Sequence, residues 1–174
     1  MLVDPTCEAR PFEVMKLSVG FTKRVLVLSP LVGLKVHFLQ SSRICAGSSC
    51  PACAVGLAGK FQGYVCVMWE SSRWLLRLTS NSARRAADAG LFVAGTVLQV
   101  SKPREKRPLA IECETTLKEF DRDAILGRVE LLSVVARLHG LPGLPVGMSF
   151  EEGVANVAEH AVACMRLALK SAGG

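Results

Sequence analysis

Long apolar runs, acidic side chains in the first two thirds of the chain, and aromatic rings are all in short supply. No uncharged stretch reaches the ~18 apolar residues that a membrane span needs. The longest, residues 44–59, is full of Gly, Ser, Pro and Cys. The opening Met1-Leu2-Val3-Asp4-Pro5 lacks the basic-then-apolar layout of a signal peptide. Cysteine is present but odd in number, seven, and a 174-residue chain that is 50% apolar can build a core without disulfide staples. These features predict a soluble, cytoplasmic protein with no membrane partner. Also missing are a Ser-His-Asp order, a Walker loop, a dinucleotide fingerprint and a paired-carboxylate motif. Glu112 and Glu114 alternate along one candidate strand, Asp121 and Asp123 flank a helix start, and His139 and His160 have no companion ligands. All read as edge, capping or surface residues, so no catalytic residue is expected and the chain is read as a non-enzyme.

The shortage of acid is local. Up to Arg107, 15 Lys and Arg stand against 6 Asp and Glu, a balance of +9; from Pro108 onward 6 stand against 9, or −3. A basic body with a mildly acidic tail points to an anionic partner for the first part. Excess Lys and Arg that merely keep the protein in solution would give the same sum.

The hydrophobic period changes near residue 120. Before it, short β segments alternate with turn residues: Lys16 to Ser29, Gly33 to Leu39, Gln62 to Glu70, Arg73 to Thr79, Ala94 to Val100 and Pro108 to Thr116. Ser71-Ser72 predicts a tight hairpin between the third and fourth. Asn81 or Ser82 can cap a short helix ended by Gly90. After Phe120 the pattern is helical. Asp121 can cap a helix burying Ile125, Val129, Leu132 and Ala136, and Gly140 to Met148 breaks it. Ser149 to Glu152 has the form of a capping box and opens a second helix with Val154, Val157, Ala161, Met165 and Ala168 as its stripe. The expected fold class is mainly β with C-terminal helices (α+β). A small closed OB-like β-barrel with a zinc-knuckle insertion would occupy residues 1–117, and a helical hairpin residues 118–174. The OB-fold is a five-stranded Greek-key barrel whose commonest ligands are oligonucleotides and oligosaccharides.

The sharpest motif is His37, Cys45, Cys50 and Cys53, spaced H-x7-C-x4-C-x2-C. Zinc takes thiolate and imidazole ligands in a tetrahedron, and one His with three Cys fills it, leaving no open position for water. The expected cofactor is therefore a structural Zn2+ pinning the loop over about 37–53. A redox Cys-Pro-x-Cys pair needs a βαβ context that is missing. A zinc deaminase needs H-x-E and P-C-x-x-C, whereas Leu39 and Ser49 occupy those positions. Free buried cysteines beside a satisfied strand histidine remain the plain alternative. Cys66, Cys113, Cys164 and Cys7 are assigned no chemistry.

Ten aromatic residues occur and eight precede residue 93. Phe38, Phe61, Tyr64, Trp69 and Trp74 interleave with Lys35, Arg43, Lys60, Arg73 and Arg77. Cations that follow phosphates and rings that stack bases are what a single-strand groove requires. About half of the five rings belong to the core, with Phe38 and Trp69 assigned there and Tyr64 and Trp74 to stacking. Lys102, Arg104, Lys106 and Arg107, in the loop before the last strand, extend the cationic track together with Arg84 and Arg85.

A strand histidine, a cysteine and a Cys-x-x-Cys knuckle, set in a β-barrel with a basic aromatic groove, resemble the zinc-containing single-stranded DNA-binding protein of T-even phages. The match covers Gly33 to Val67 and carries over His37, Cys45, Cys50 and Cys53 as zinc ligands. The resemblance implies sequence-independent coating of single-stranded DNA in replication or recombination. Two functions follow from the sequence. One is a binding protein for single-stranded DNA or RNA, with the C-terminal helices serving a homo-oligomer or a protein partner. The other is a zinc-knuckle protein–protein adaptor or oligomerisation module without nucleic-acid affinity.

Overall fold

The computed structural model describes residues 12–173; Cys7 lies outside them. Seven strands form one antiparallel sheet. β1 (Thr22–Val27) and β2 (Val32–Leu39) run in the same direction, and both pair antiparallel with β4 (Lys60–Trp69). Between them Pro30 has no N–H to give the ladder. Ser29 fills the break, its Oγ accepting from Cys66 N at 2.8 Å and donating to the Pro30 carbonyl at 3.0 Å. β3 (Ser41–Ile44) pairs with β2, and β6 (Thr96–Ser101) with β1. β7 (Ala110–Thr116) pairs with β6, and β5 (Ser72–Thr79) with the other edge of β4.

The β4–β5 hairpin forms where Ser71-Ser72 predicts it, with the turn residues shifted by one. Glu70 and Ser71 have φ of +48° and +63°, the sense of two-residue turn that matches strand twist. The strand order is β3-β2-β4-β1-β6-β7, with β5 branching from β4. The expected closed barrel is not formed: β5 and β7 do not pair among the described residues. The free edge of β5 takes a short segment instead, Met15 N donating to Leu75 O and Leu75 N to Glu13 O.

Alternation along the strands gives the sheet two buried faces. Val25, Val27, Val65, Val67, Leu76, Leu78, Leu98 and Val100 form one core with Ala83 and Ala86 of helix α2 (Ser80–Asp88). Neither Asn81 nor Ser82 caps that helix; Thr79 is the N-cap, and Ser82 Oγ is drawn to the Leu109 carbonyl. Its end is as expected. Gly90, at φ +68°, lets Gly90 N and Leu91 N return to the carbonyls of Ala87 and Ala86.

The opposite face carries Leu28, Tyr64, Cys66 and Leu75, covered by α3 (Arg128–Leu138) and α4 (Phe150–Ala172). Leu131, Leu132, Val135 and Ala136 point in from α3, and Val157, Ala161 and Met165 from α4. Asp121 caps only the short turn Arg122–Ala124, and Gly127 is the N-cap of α3. The Ser149–Glu152 capping box is present, but Val154 turns outward. The division at residue 117 separates strands from helices while this core spans both. No described helix is long and apolar enough to cross a membrane.

Candidate metal centre and basic groove

His37 and Cys45 come together because β2 folds back on β3 at Gln40 (φ +61°), pairing His37 with Arg43. A one-turn helix, α1 (Pro51–Ala54), starts at Cys50 with Pro51 in the position where a missing N–H costs nothing. Its single turn sets Cys50 and Cys53 on one side. The four ligand atoms lie within 4.8 Å of one another. His37 Nε2 is 3.6 Å from Cys50 Sγ and 3.4 Å from Cys53 Sγ, and Cys45 Sγ is 3.7 Å from Cys53 Sγ. A tetrahedron with zinc's bond lengths has S···S edges of ~3.8 Å and S···N edges of ~3.6 Å, which these three separations match.

The surroundings suit the same purpose. His37 Nδ1 faces the Ala58 carbonyl at 3.2 Å; donating there leaves the Nε2 lone pair directed at the thiols. Lys35 Nζ reaches to 3.5 Å from Cys53 Sγ, placing a cation beside three potential thiolates. Lys35 and His37 do share a face, and both close on Gly59, where a Cβ would stand 2.4 Å from Lys35 Cε and 3.1 Å from His37 Cε1. Burial pushes the Cys45 thiol up to about 11, against the pull of the Gly47 backbone. Burial also opposes ionisation of Cys50, but backbone hydrogen bonds at Cys53, Ala46 and Ala52, with the Cys45 thiol, bring it down to about 6. Of Cys45 and Cys50, Cys50 is thus the readier to lose its proton.

Cys66 is buried in the helix-covered core, and burial raises its thiol to about 11. Cys113 is exposed on β7.

The predicted nucleic-acid contacts do not form one track. Lys35, Arg43 and Lys60 sit near the metal-centre end; Arg43 is half-buried, its Nε without a partner. Arg73 stacks on Phe12 at 4.6 Å. Tyr64 has no exposed surface at all. Its hydroxyl lies 2.8 Å from Gln62 Oε1 and 2.9 Å from His139 Nε2, and burial raises the phenol to about 12. It therefore offers no face to a base, and His139, expected at the surface, is an internal partner. Trp74 is half-buried, packed edge-on against Trp69 with its indole N–H buried. Phe38, assigned to the core, is 77% exposed.

One group does converge. Arg77 on β5 and Lys16 in the segment beside it face Lys102, Lys106 and Arg107 of the β6–β7 loop across a groove of about 830 Å³. Glu105 is the one acid among the described lining residues. Arg104 belongs to the same loop but does not line the groove; its carbonyl accepts from Arg107 N. The apolar floor includes Met15 and Leu109. Sequence reasoning missed Lys16, which read as the start of a strand; only the unpaired edge of β5 brings it into place.

The chain matches no protein-family model, and comparison with curated proteins and with solved structures gives no match.

Proposed function

We propose that the protein binds single-stranded nucleic acid without reading its sequence, and that His37, Cys45, Cys50 and Cys53 hold a structural zinc ion. The observation that carries the first part is the convergence of Lys16, Arg77, Lys102, Lys106 and Arg107 on one groove. Clustered cations over an apolar floor concentrate positive potential along a path that a phosphate backbone can follow. The strand connectivity supports the same reading. With β1 and β2 taken as one bent strand, β4, β5, α2, β6 and β7 follow in the order of an OB-fold, lacking the pairing that would close it. In OB-folds the face of the second and third strands and the loop between the last two bind oligonucleotides. Here α3 and α4 cover much of that face, so the ligand is displaced to the gap between β5 and the 102–107 loop. Zinc supplies no chemistry in this scheme. It holds a loop whose own residues, Ala46, Cys50 and Ala52, are core members.

The test is fluorescence anisotropy of labelled single-stranded DNA, single-stranded RNA and duplex DNA over a salt series. Five groove cations give an expected slope of about −3.5 in log K against log salt for single strands. Lys106→Ala with Arg107→Ala should flatten it and weaken all sequences alike. Absence of binding at low salt, with the protein folded and zinc-loaded, would sink the reading and leave the adaptor in its place.

A further inference from the structure

Beyond the groove lies an exposed aromatic residue that the charge argument does not use. Phe21 is 67% exposed at the tip of a turn immediately before β1. Single exposed apolar residues are ordinary; this one is held rigidly. Phe21 N donates to the Ser18 carbonyl at 3.2 Å across Gly20, whose φ of +82° is the left-handed position of a type II turn. Gly20 N donates to the Lys102 carbonyl at 3.0 Å, and from Thr22↔Ser101 onward the β1–β6 ladder fixes the chain. The turn is therefore stitched to the first residue of the groove's own loop.

The charges around Phe21 are mostly cationic. Phe21 lines a second, smaller depression with Lys16, Lys23, Arg24, Trp69 and Glu70. Lys16 lines both this depression and the groove, so the two adjoin. Lys23 lies with its ammonium 3.6 Å from the centroid of the Trp69 ring. That cation covers Trp69, which leaves Phe21 as the open ring, and it fixes a positive charge where a phosphate would pass. Arg24 is neutralised by Glu114 at 2.7 Å, and Glu70 is the carboxylate that opposes binding here.

We infer that Phe21 is a stacking platform for an unpaired base of the same strand whose phosphates occupy the groove, with Lys23 holding the next phosphate. The inference rests on the proposed single-strand reading and adds a feature that charge alone cannot supply, discrimination against duplex, whose bases are already stacked.

The experiment compares Phe21→Ala and Phe21→Trp with the groove variant Lys106→Ala, using metal-loaded full-length protein and oligonucleotides with and without abasic positions. Phe21 is exposed, so replacing it should leave thermal unfolding unchanged. Phe21→Ala should cut affinity for single strands by about 5- to 150-fold, leave the salt slope as it was, and abolish the penalty of one abasic position. Phe21→Trp should restore binding. Lys106→Ala should instead reduce the slope. If Phe21→Ala binds within twofold of wild type while Lys106→Ala weakens, the platform is wrong and the groove stands. If Phe21→Ala changes only self-association, the ring serves a second copy and the platform is again wrong. If wild type binds no oligonucleotide, the platform falls together with the reading beneath it.

Discussion

Tyr64 shows how much one side chain's role depends on residues far along the chain. Its neighbours on β4 and the basic Arg77 opposite it resemble a stacking site, yet the ring is sealed beneath α3. Tyr64→Phe should cost about 0.5–1.5 kcal/mol, the usual net loss of one hydrogen bond, read as a shift in urea midpoint at constant slope. It should leave oligonucleotide affinity unchanged; a tenfold loss of affinity with no loss of stability would return Tyr64 to the ligand. The metal ligands are the opposite case. Three of the four lie within nine residues of one another, and His37 is only eight residues before Cys45. The chemistry needed to identify them is therefore local, and the structure brings all four together as the spacing requires. The cations that line the groove fall between these extremes. The 102–107 loop was readable as a charge run, whereas Lys16 depends on where a free strand edge lies.

Among the elements, the junction of α3 with the sheet is sensitive to pH. His139 caps α3; its Nε2 meets the Tyr64 hydroxyl and its Nδ1 faces the Ser42 carbonyl at 3.2 Å. Burial holds its imidazole below the ordinary value, the Ser42 carbonyl opposing and Arg77 adding to the effect. The unfolded chain therefore takes up this proton first as pH falls. Stability from this group is full above about 6.5 and declines below it until the folded imidazole itself titrates. Urea midpoints at pH 7.5 and 5.5 should differ more for wild type than for His139→Gln, which offers hydrogen-bonding groups without a charge to gain. Equal differences would show that His139 does not contribute. Most strands and the second helix were legible from period and capping. β3 was not, because four residues between a histidine and a cysteine ligand carry no pattern of their own. The start of α3 was missed because Asp121 caps a different, shorter turn.

At the scale of the whole molecule, the knuckle and the C-terminal helices stabilise each other. Cys50 and Ala52 share a core with Leu131, Val157 and Met165, although over a hundred residues separate the extremes. Chelating the proposed zinc should therefore lower the thermal midpoint of the entire protein, with the far-ultraviolet helical signal and the tryptophan signal moving together. Loss of the knuckle alone, with α4 melting at its former temperature, would show that the two are energetically separate. The open sheet was the least legible feature. Closure depends on whether β5 meets β7, and no local preference of either strand decides that; α2 and the Glu13–Met15 segment set the spacing between them.

That missing pairing has a topological consequence for any polymer the groove accepts. A barrel closed by that pairing would be filled by side chains and would leave no slot between the two strands. Here a slot lies between the β5 edge and the 102–107 loop, and among the described residues β7 pairs along one edge, with β6. On the proposed reading a strand would be laid in sideways at any internal point, so a circular single strand should bind as well as a linear one of the same length.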